Sequence, residues 1–245
     1  MVTGAGRLME FIGQVATWFL DPAHWTGTNG VPWRVGEHLV MSVLAVLIGV
    51  AIAIPAGLAI GHTGRAEQVS TAVAGLGRAV PSYALLILFV PLFGLGFASA
   101  LPALILLAIP PILVNTVAGI RDVDADTVEA GRAMGMTERE VLMDVELPAA
   151  LPAIVLGLRT SAVQVVATAT LVALVAGGGL GRYIVDGFAL QQDDRLFAGA
   201  VLVAVLAIGT DRAFNWAQRR FEGRAGRPTR DAFLGRPGLP GSAHF

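Results

Sequence analysis

Residues 79–120 form 42 consecutive positions without a single Asp, Glu, Lys or Arg. As one helix they would be about 63 Å long at 1.5 Å per residue, about twice the hydrocarbon thickness of a bilayer. The stretch must therefore fold back once, and Gly94-Leu95-Gly96 with Ser99 and Pro102 marks the turn. Further charge-free runs cover 39–60, 160–180 and 196–210. A span needs roughly 20 apolar residues, so the chain reads as five spans at 38–60, 69–93, 101–120, 148–176 and 197–217. Arg78 and Arg159 are single charges near span ends, where a long side chain can reach water.

Composition agrees with a membrane protein. Charged residues make up 14% of the chain and hydrophobic ones 55%, whereas soluble domains average about 25% charged. The net charge of −1 gives no reason to expect nucleic acid. All 17 cations are Arg, which excludes a phosphate-loop lysine and Schiff-base chemistry. With no Cys there are no disulfides, thiol nucleophiles or thiolate-held metals. His24, His38, His62 and His244 are far apart, form no metal pair, and predict no metal and no cofactor. His38 and His62 read as interfacial residues at span ends. The run Gly177-Gly178-Gly179-Leu180-Gly181 lacks the lysine of a phosphate loop and reads as a turn.

Arginine counts set the orientation. The segments 61–68, 121–147 and 217–245 hold ten Arg, and 1–37, 94–100 and 177–195 hold four. The richer side is cytoplasmic, so the C-terminus lies inside and the N-terminus outside. Three regions follow: 1–36 as an extracytoplasmic helix and loop, 37–217 as the transmembrane unit, and 218–245 as a flexible cytoplasmic tail rich in Arg, Gly and Pro. In the first region Leu8, Phe11, Ile12, Val15, Trp18 and Phe19 recur at helical spacing and predict an amphipathic helix in the outer interface. A sixth, poor span is the competing reading. Trp25 and Trp33 read as interfacial anchors.

Residues 121–147 are too long and too patterned for a simple connection. Asp126 with Glu129, and Thr137 with Glu140, read as capping boxes opening two short helices. Gly135 ends the first with a positive φ, and Pro148 stops the second and opens the next span. Eight acids against three Arg leave this elbow acidic. Such an elbow suits contact with a cytoplasmic partner; a solvated hairpin without a partner is the alternative.

Inside the spans, Ser82, Tyr83, Asn115, Ser161, Gln164 and Thr168 are candidates for a solute pathway. Hydrogen bonding between helices would also account for them. Gly57 and Gly61 read as close-packing positions, and Asp211 with Arg212 as a local compensating pair.

Glu129-Ala130-Gly131, then Gly135-Met136-Thr137 and Leu147-Pro148, resembles the EAA loop of ABC importer permeases. Gly131 stands where that family usually has Ala, which loosens the helix. Residues 79–82, 111–120, 168–171 and 177–181 extend the resemblance over about 37–215, to the branch that imports glycine betaine, choline and carnitine. The resemblance implies an all-α integral membrane fold with five core spans, a cytoplasmic coupling helix and the N-terminal interfacial helix. It implies a bacterial plasma-membrane subunit without ATPase activity of its own. Its partners would be cytoplasmic ABC ATPases, a second permease, alike or related, and an extracytoplasmic substrate-binding protein. The eight loop residues just named would carry the coupling. A permease for another small solute such as an amino acid, and a non-transport membrane scaffold, stay open as alternatives.

Overall fold

The computed structural model describes residues 4–65, 68, 70–73, 75 and 80–222, and among these it is entirely helical, with no strand. In chain order the helices are α1 (Gly4–Leu20), α2 (Val31–Thr63), α3 (Ser82–Phe93), α4 (Phe97–Arg121), α5 (Ala125–Ala133), α6 (Glu138–Val175), α7 (Gly181–Leu190) and α8 (Asp193–Glu222). A short 3-10 turn, Pro22–Trp25, follows α1. Four described helices, α2, α4, α6 and α8, are long and apolar enough to cross a membrane. The expected span 69–93 falls partly outside the described residues. Its described part comprises residues 70–73 and 75, which are helical, and the 12-residue apolar helix α3, which starts after Pro81 in extended conformation.

The fold-back occurs where the glycines predict it. Gly94 at φ 75 closes α3, Gly96 at φ 118 opens α4, and the Gly96 N–H donates to the Val175 carbonyl at 2.7 Å. Only glycine adopts these angles without strain. α2 and α4 then run in parallel in very close contact. Ala45, Gly49, Ala53, Gly57 and Gly61 repeat every fourth residue of α2, and all are buried. A β-carbon on Gly49 would stand 2.9 Å from the Ala108 Cβ, and one on Gly61 2.7 Å from the Ile120 Cβ. α6 packs antiparallel to α4 by the same device at Gly119 against Ala153 and Gly157 against Asn115. Leu86, Leu104, Ala108, Val165 and Val172 fill the middle of the bundle.

α1 forms the expected helix, and four other expectations need correction. α1 begins near its expected place, but its apolar face is divided. Phe11, Val15 and Trp18 turn inward, with Phe11 edge-on to Phe197 at 4.7 Å, while Leu8 and Ile12 stay exposed. His38 is a core residue: fully buried, it donates from Nε2 to the Val166 carbonyl (2.8 Å) and accepts at Nδ1 from the Leu180 N–H (3.3 Å). Asp211 pairs with Arg159 (2.7 Å), not with Arg212, because α8 crosses α6 there; Asn215 takes a second Arg159 bond at 2.6 Å. The segment 177–195 contains α7, which folds back on α8 at Gly187 and Gly199. Residues 218–222 are the last turn of α8 and not part of a tail; the rest of the expected tail, 223–245, lies outside the described residues.

The glycine run is the expected turn, and contacts at three of its four glycines shape it. The Gly177 N–H bonds the Val172 carbonyl, and the Gly179 N–H, at φ 85, donates to Glu37 at 2.8 Å. A β-carbon at Gly181 would collide with the Thr170 carbonyl oxygen. Glu37 also accepts from Arg34 (2.8 Å) and Trp33 (3.0 Å). One end of the bundle is thus collared to α2 by backbone, and the other carries the elbow.

Candidate functional site

The elbow is two helical arms joined by a turn of defined geometry. The first arm, α5, is capped by Asp124 and not by Asp126: the Asp124 carboxylate accepts from the Asp126 N–H at 3.1 Å. Both aspartates have capping chemistry, but Asp124 is the one with extended ψ, which places Asp126 and Glu129 inside the helix. The expected Asp126–Glu129 capping box is therefore not formed. At the other end the Gly135 N–H bonds Arg132 and the Met136 N–H bonds Gly131, with Gly135 at φ 89. That is a Schellman closure, and it satisfies the last carbonyls of α5.

The second arm opens with the expected box. The Thr137 N–H and hydroxyl both donate to Glu140, at 2.7 Å each, and the Glu140 N–H donates back to Thr137 at 3.3 Å. These bonds hold the Glu140 carboxyl below the usual carboxylate range. Arg132 reaches across from the first arm with a two-point bond to Glu138, 3.0 and 2.9 Å. That guanidinium holds the Glu138 carboxyl low as well. Both acids lie in the elbow, outside the span at 148–176. Their contribution to the elbow is complete above the ordinary carboxylate range and lost as pH falls through the lowered values.

Contrary to expectation, Pro148 does not stop this arm. The helix passes through a π turn, Val141–Glu146, and continues into the span as α6. Proline lacks an N–H, and in α geometry its ring would strike the carbonyl four residues earlier. Widening the helix just before it, with Leu147 N–H bonded to Leu142, makes room. The elbow and the span are consequently one continuous element.

The eight predicted coupling residues divide by role. Glu129, Ala130, Gly135, Thr137 and Pro148 are exposed, and Met136 and Leu147 half-buried. Gly131 is buried against Met136 and Val145. A β-carbon there would meet only the Met136 sulfur at 3.2 Å, the flexible part of a long side chain. Gly131→Ala should thus fit and stabilise the arm by about 0.5–1 kcal/mol through helix propensity. Slower amide exchange over 125–133 is the expected readout, and unchanged exchange would refute it. Between α4, α5 and α6 lies a cavity of about 350 Å³ lined by Gly119, Asp122, Asp124, Thr127, Val145 and Pro152. It presents carboxylates toward the side on which the elbow projects.

Two of the predicted pathway residues are tied into the helices by hydrogen bonds. Ser161 is buried and donates to the Ala108 carbonyl at 2.9 Å, which is helix-to-helix bonding. Asn115 donates within its own helix to Pro111 at 2.8 Å. Tyr83 is exposed, and Ser82, Gln164 and Thr168 are half-buried. None of the six lines the elbow cavity or the two at the opposite end. One of these, about 430 Å³, lies between Trp33, Glu37, Met41 and Phe97; the other, about 450 Å³, between Trp18, His24, Tyr183 and Arg195. Sequence reasoning missed the Arg159–Asp211–Asn215 cluster and the contact of His62 with the elbow. Both join residues more than fifty positions apart, and no local pattern announces them.

Comparison with known proteins matches residues 39–223 to the model of the family described as binding-protein-dependent transport system inner membrane component. The chain is 38% identical over 195 residues to the choline transport system permease protein OpuBB of Bacillus subtilis (strain 168), covering 79% of this chain and 90% of that one. It is 36% identical over 195 residues to the carnitine transport permease protein OpuCB of Listeria monocytogenes, covering 80% and 89%. Among solved structures it resembles the inward-facing MetNI methionine ABC transporter, with TM-score 0.70 and 22% identity over 82% of this chain and 98% of that one.

Proposed function

The chain belongs to the binding-protein-dependent transport system inner membrane components, and from that premise we propose that it forms half of an import pathway for quaternary-amine osmoprotectants. Choline and carnitine are named for relatives at 36–38% identity that are matched over nearly their whole length. The chain is a permease subunit of the ABC importer type, with ATP hydrolysis assigned to a separate subunit. In our reading two permeases, alike or related, enclose the path, a binding protein docks outside, and the C-terminus lies in the cytoplasm.

The observation that carries the mechanism is the rigid elbow continuous with α6. The arm is held at its tip by a Schellman turn and a complete capping box. Movement imposed on it by the ATPases therefore passes into the span. Its exposed acids, Glu129 among them, suit Arg or Lys on the ATPase face. Aromatic faces hold quaternary ammonium groups, but Tyr83, Phe89, Phe93 and Phe97 enclose no tight cage. Selectivity then rests with the binding protein, and the path holds solute weakly enough to release it.

The test is ATP-dependent uptake of labelled glycine betaine, choline and carnitine at high osmolarity, in cells lacking their own osmolyte importers. The chain is co-expressed with its ATPase, binding protein and any partner permease. Uptake is expected for at least one solute. Gly135→Pro should abolish it, since proline cannot adopt φ 89, and Glu129→Arg should cut it without loss of membrane insertion. An intact, co-purified complex that imports none of the three overturns the quaternary-amine assignment.

A further inference from the structure

His62, in the last turn of α2, lies between two carboxylates of the elbow. Its Nδ1 is 2.6 Å from Oε2 of Glu146 and its Nε2 is 3.2 Å from Oε2 of Glu138. The imidazole and Glu146 are largely enclosed, with side chains 13% and 7% exposed. Nδ1 is hydrogen-bonded to Glu146 and Nε2 stands at ion-pair distance from Glu138; with an accepting carboxylate on each side, the ring is best matched when both nitrogens carry a proton. A neutral imidazole donates from one nitrogen; the imidazolium donates from both. A buried carboxylate such as Glu146 also needs a cationic partner, and His62 occupies that place.

The surrounding charges complete the site. Arg132 of α5 holds the far side of Glu138 at 2.9 Å, with Glu129 and Glu146 acting on Arg132 through space. Arg121, at the end of α4, brings its guanidinium beside Gly64, just past α2. Three elements are thus joined at one ring: the end of the first long helix, the second elbow arm and the π turn at the root of α6.

We propose that His62 is a proton-gated latch, which as imidazolium clamps the elbow to the end of α2 and as imidazole releases the Glu138 side. His62 is a positioning residue, acting on transport through the elbow. The proposal rests on the reading of that elbow as the coupling element. Loss of that proton frees the Glu138 side, so coupling weakens as the elbow side of the membrane turns alkaline.

The chain's lack of Cys allows a clean test. Spin labels at Thr63→Cys and Arg139→Cys, both exposed, report the separation of α2 from the second arm in the assembled transporter in vesicles. The distance distribution is expected to be narrow at about pH 5 and to broaden by about pH 8. Solute imported per ATP should fall several-fold over the same range. With His62→Arg, whose guanidinium donates to two carboxylates at any of these pH values, both readouts should stay at their acid-side values. With His62→Gln both should resemble the alkaline state throughout. Identical distance distributions at the two pH values in the unsubstituted protein overturn the latch, whatever is imported. A pH-dependent distance, lost in His62→Arg, supports the latch even if none of the three quaternary amines is taken up.

Discussion

Gly57→Leu is expected to lower the apparent unfolding midpoint by roughly 6–12 °C, from about 3 kcal/mol of overpacking at about 2–4 °C per kcal/mol for a chain of this size. The β-carbon alone would stand 2.7 Å from Cβ and 2.8 Å from Cγ2 of Thr116. Thr116 cannot turn aside: it is fully buried, β-branched, and bonded through its hydroxyl to the Ile112 carbonyl at 2.7 Å. The two helices must separate, and with them the contacts at Gly49 and Gly61. Gly36, on the same helix, has nothing within 4 Å of its β-carbon position. Gly36→Ala should therefore be neutral or stabilising by up to about 1 kcal/mol. A thermal scan of the purified protein compares the two, and equal midpoints would refute the packing argument.

His38→Leu should be nearly as damaging. It keeps apolar volume but leaves the Val166 carbonyl and the Leu180 N–H without their partner. Buried groups so orphaned cost about 1–3 kcal/mol each, for a total of about 2–6 kcal/mol. The damage has a location, because His38 and Glu37 hold the turn 177–181 to α2. Arg182 follows that turn directly, and no lysine competes for trypsin. Cleavage after Arg182 should rise in the variant. His38→Gln can donate at one end and accept at the other, and should recover part of the loss. Unchanged cleavage in His38→Leu would show that the collar does not depend on this ring.

The elbow was the most legible part of the chain because its signals are local. A Thr three residues before a Glu and a Gly at the end of a short helix each act through bonds within one turn. Even there, the expected cap Asp126 lies inside the helix and Asp124, two residues earlier, closes it, a difference that residue type alone does not carry. The fold-back at Gly94 and Gly96 was readable for the same reason. His38, Arg159 and His62 were misread because their partners lie 128, 52 and 84 positions away. Each was assigned the generic behaviour of a polar group near a span end, and packing of α6 and α8 decided otherwise. α7 was missed because a glycine run reads as an unstructured turn when the surfaces it must pass are unknown.

The π turn at the root of α6 also fixes an azimuth. Each residue of an α-helix advances about 100° around its axis. The wide turn inserts roughly one extra residue into the circuit, so it sets the compass direction in which the elbow leaves the bundle. Removing one residue from 141–146 would barely shorten the arm. The shortened segment would close as an ordinary α turn with the arm on nearly its present bearing, whereas winding all six residues as α-helix would swing the arm by on the order of 100°, carrying Glu138 away from α2 while everything beyond Leu147 kept its place. At this one point in the chain, winding acts as rotation, and the direction of the elbow is a matter of phase rather than of contact strength.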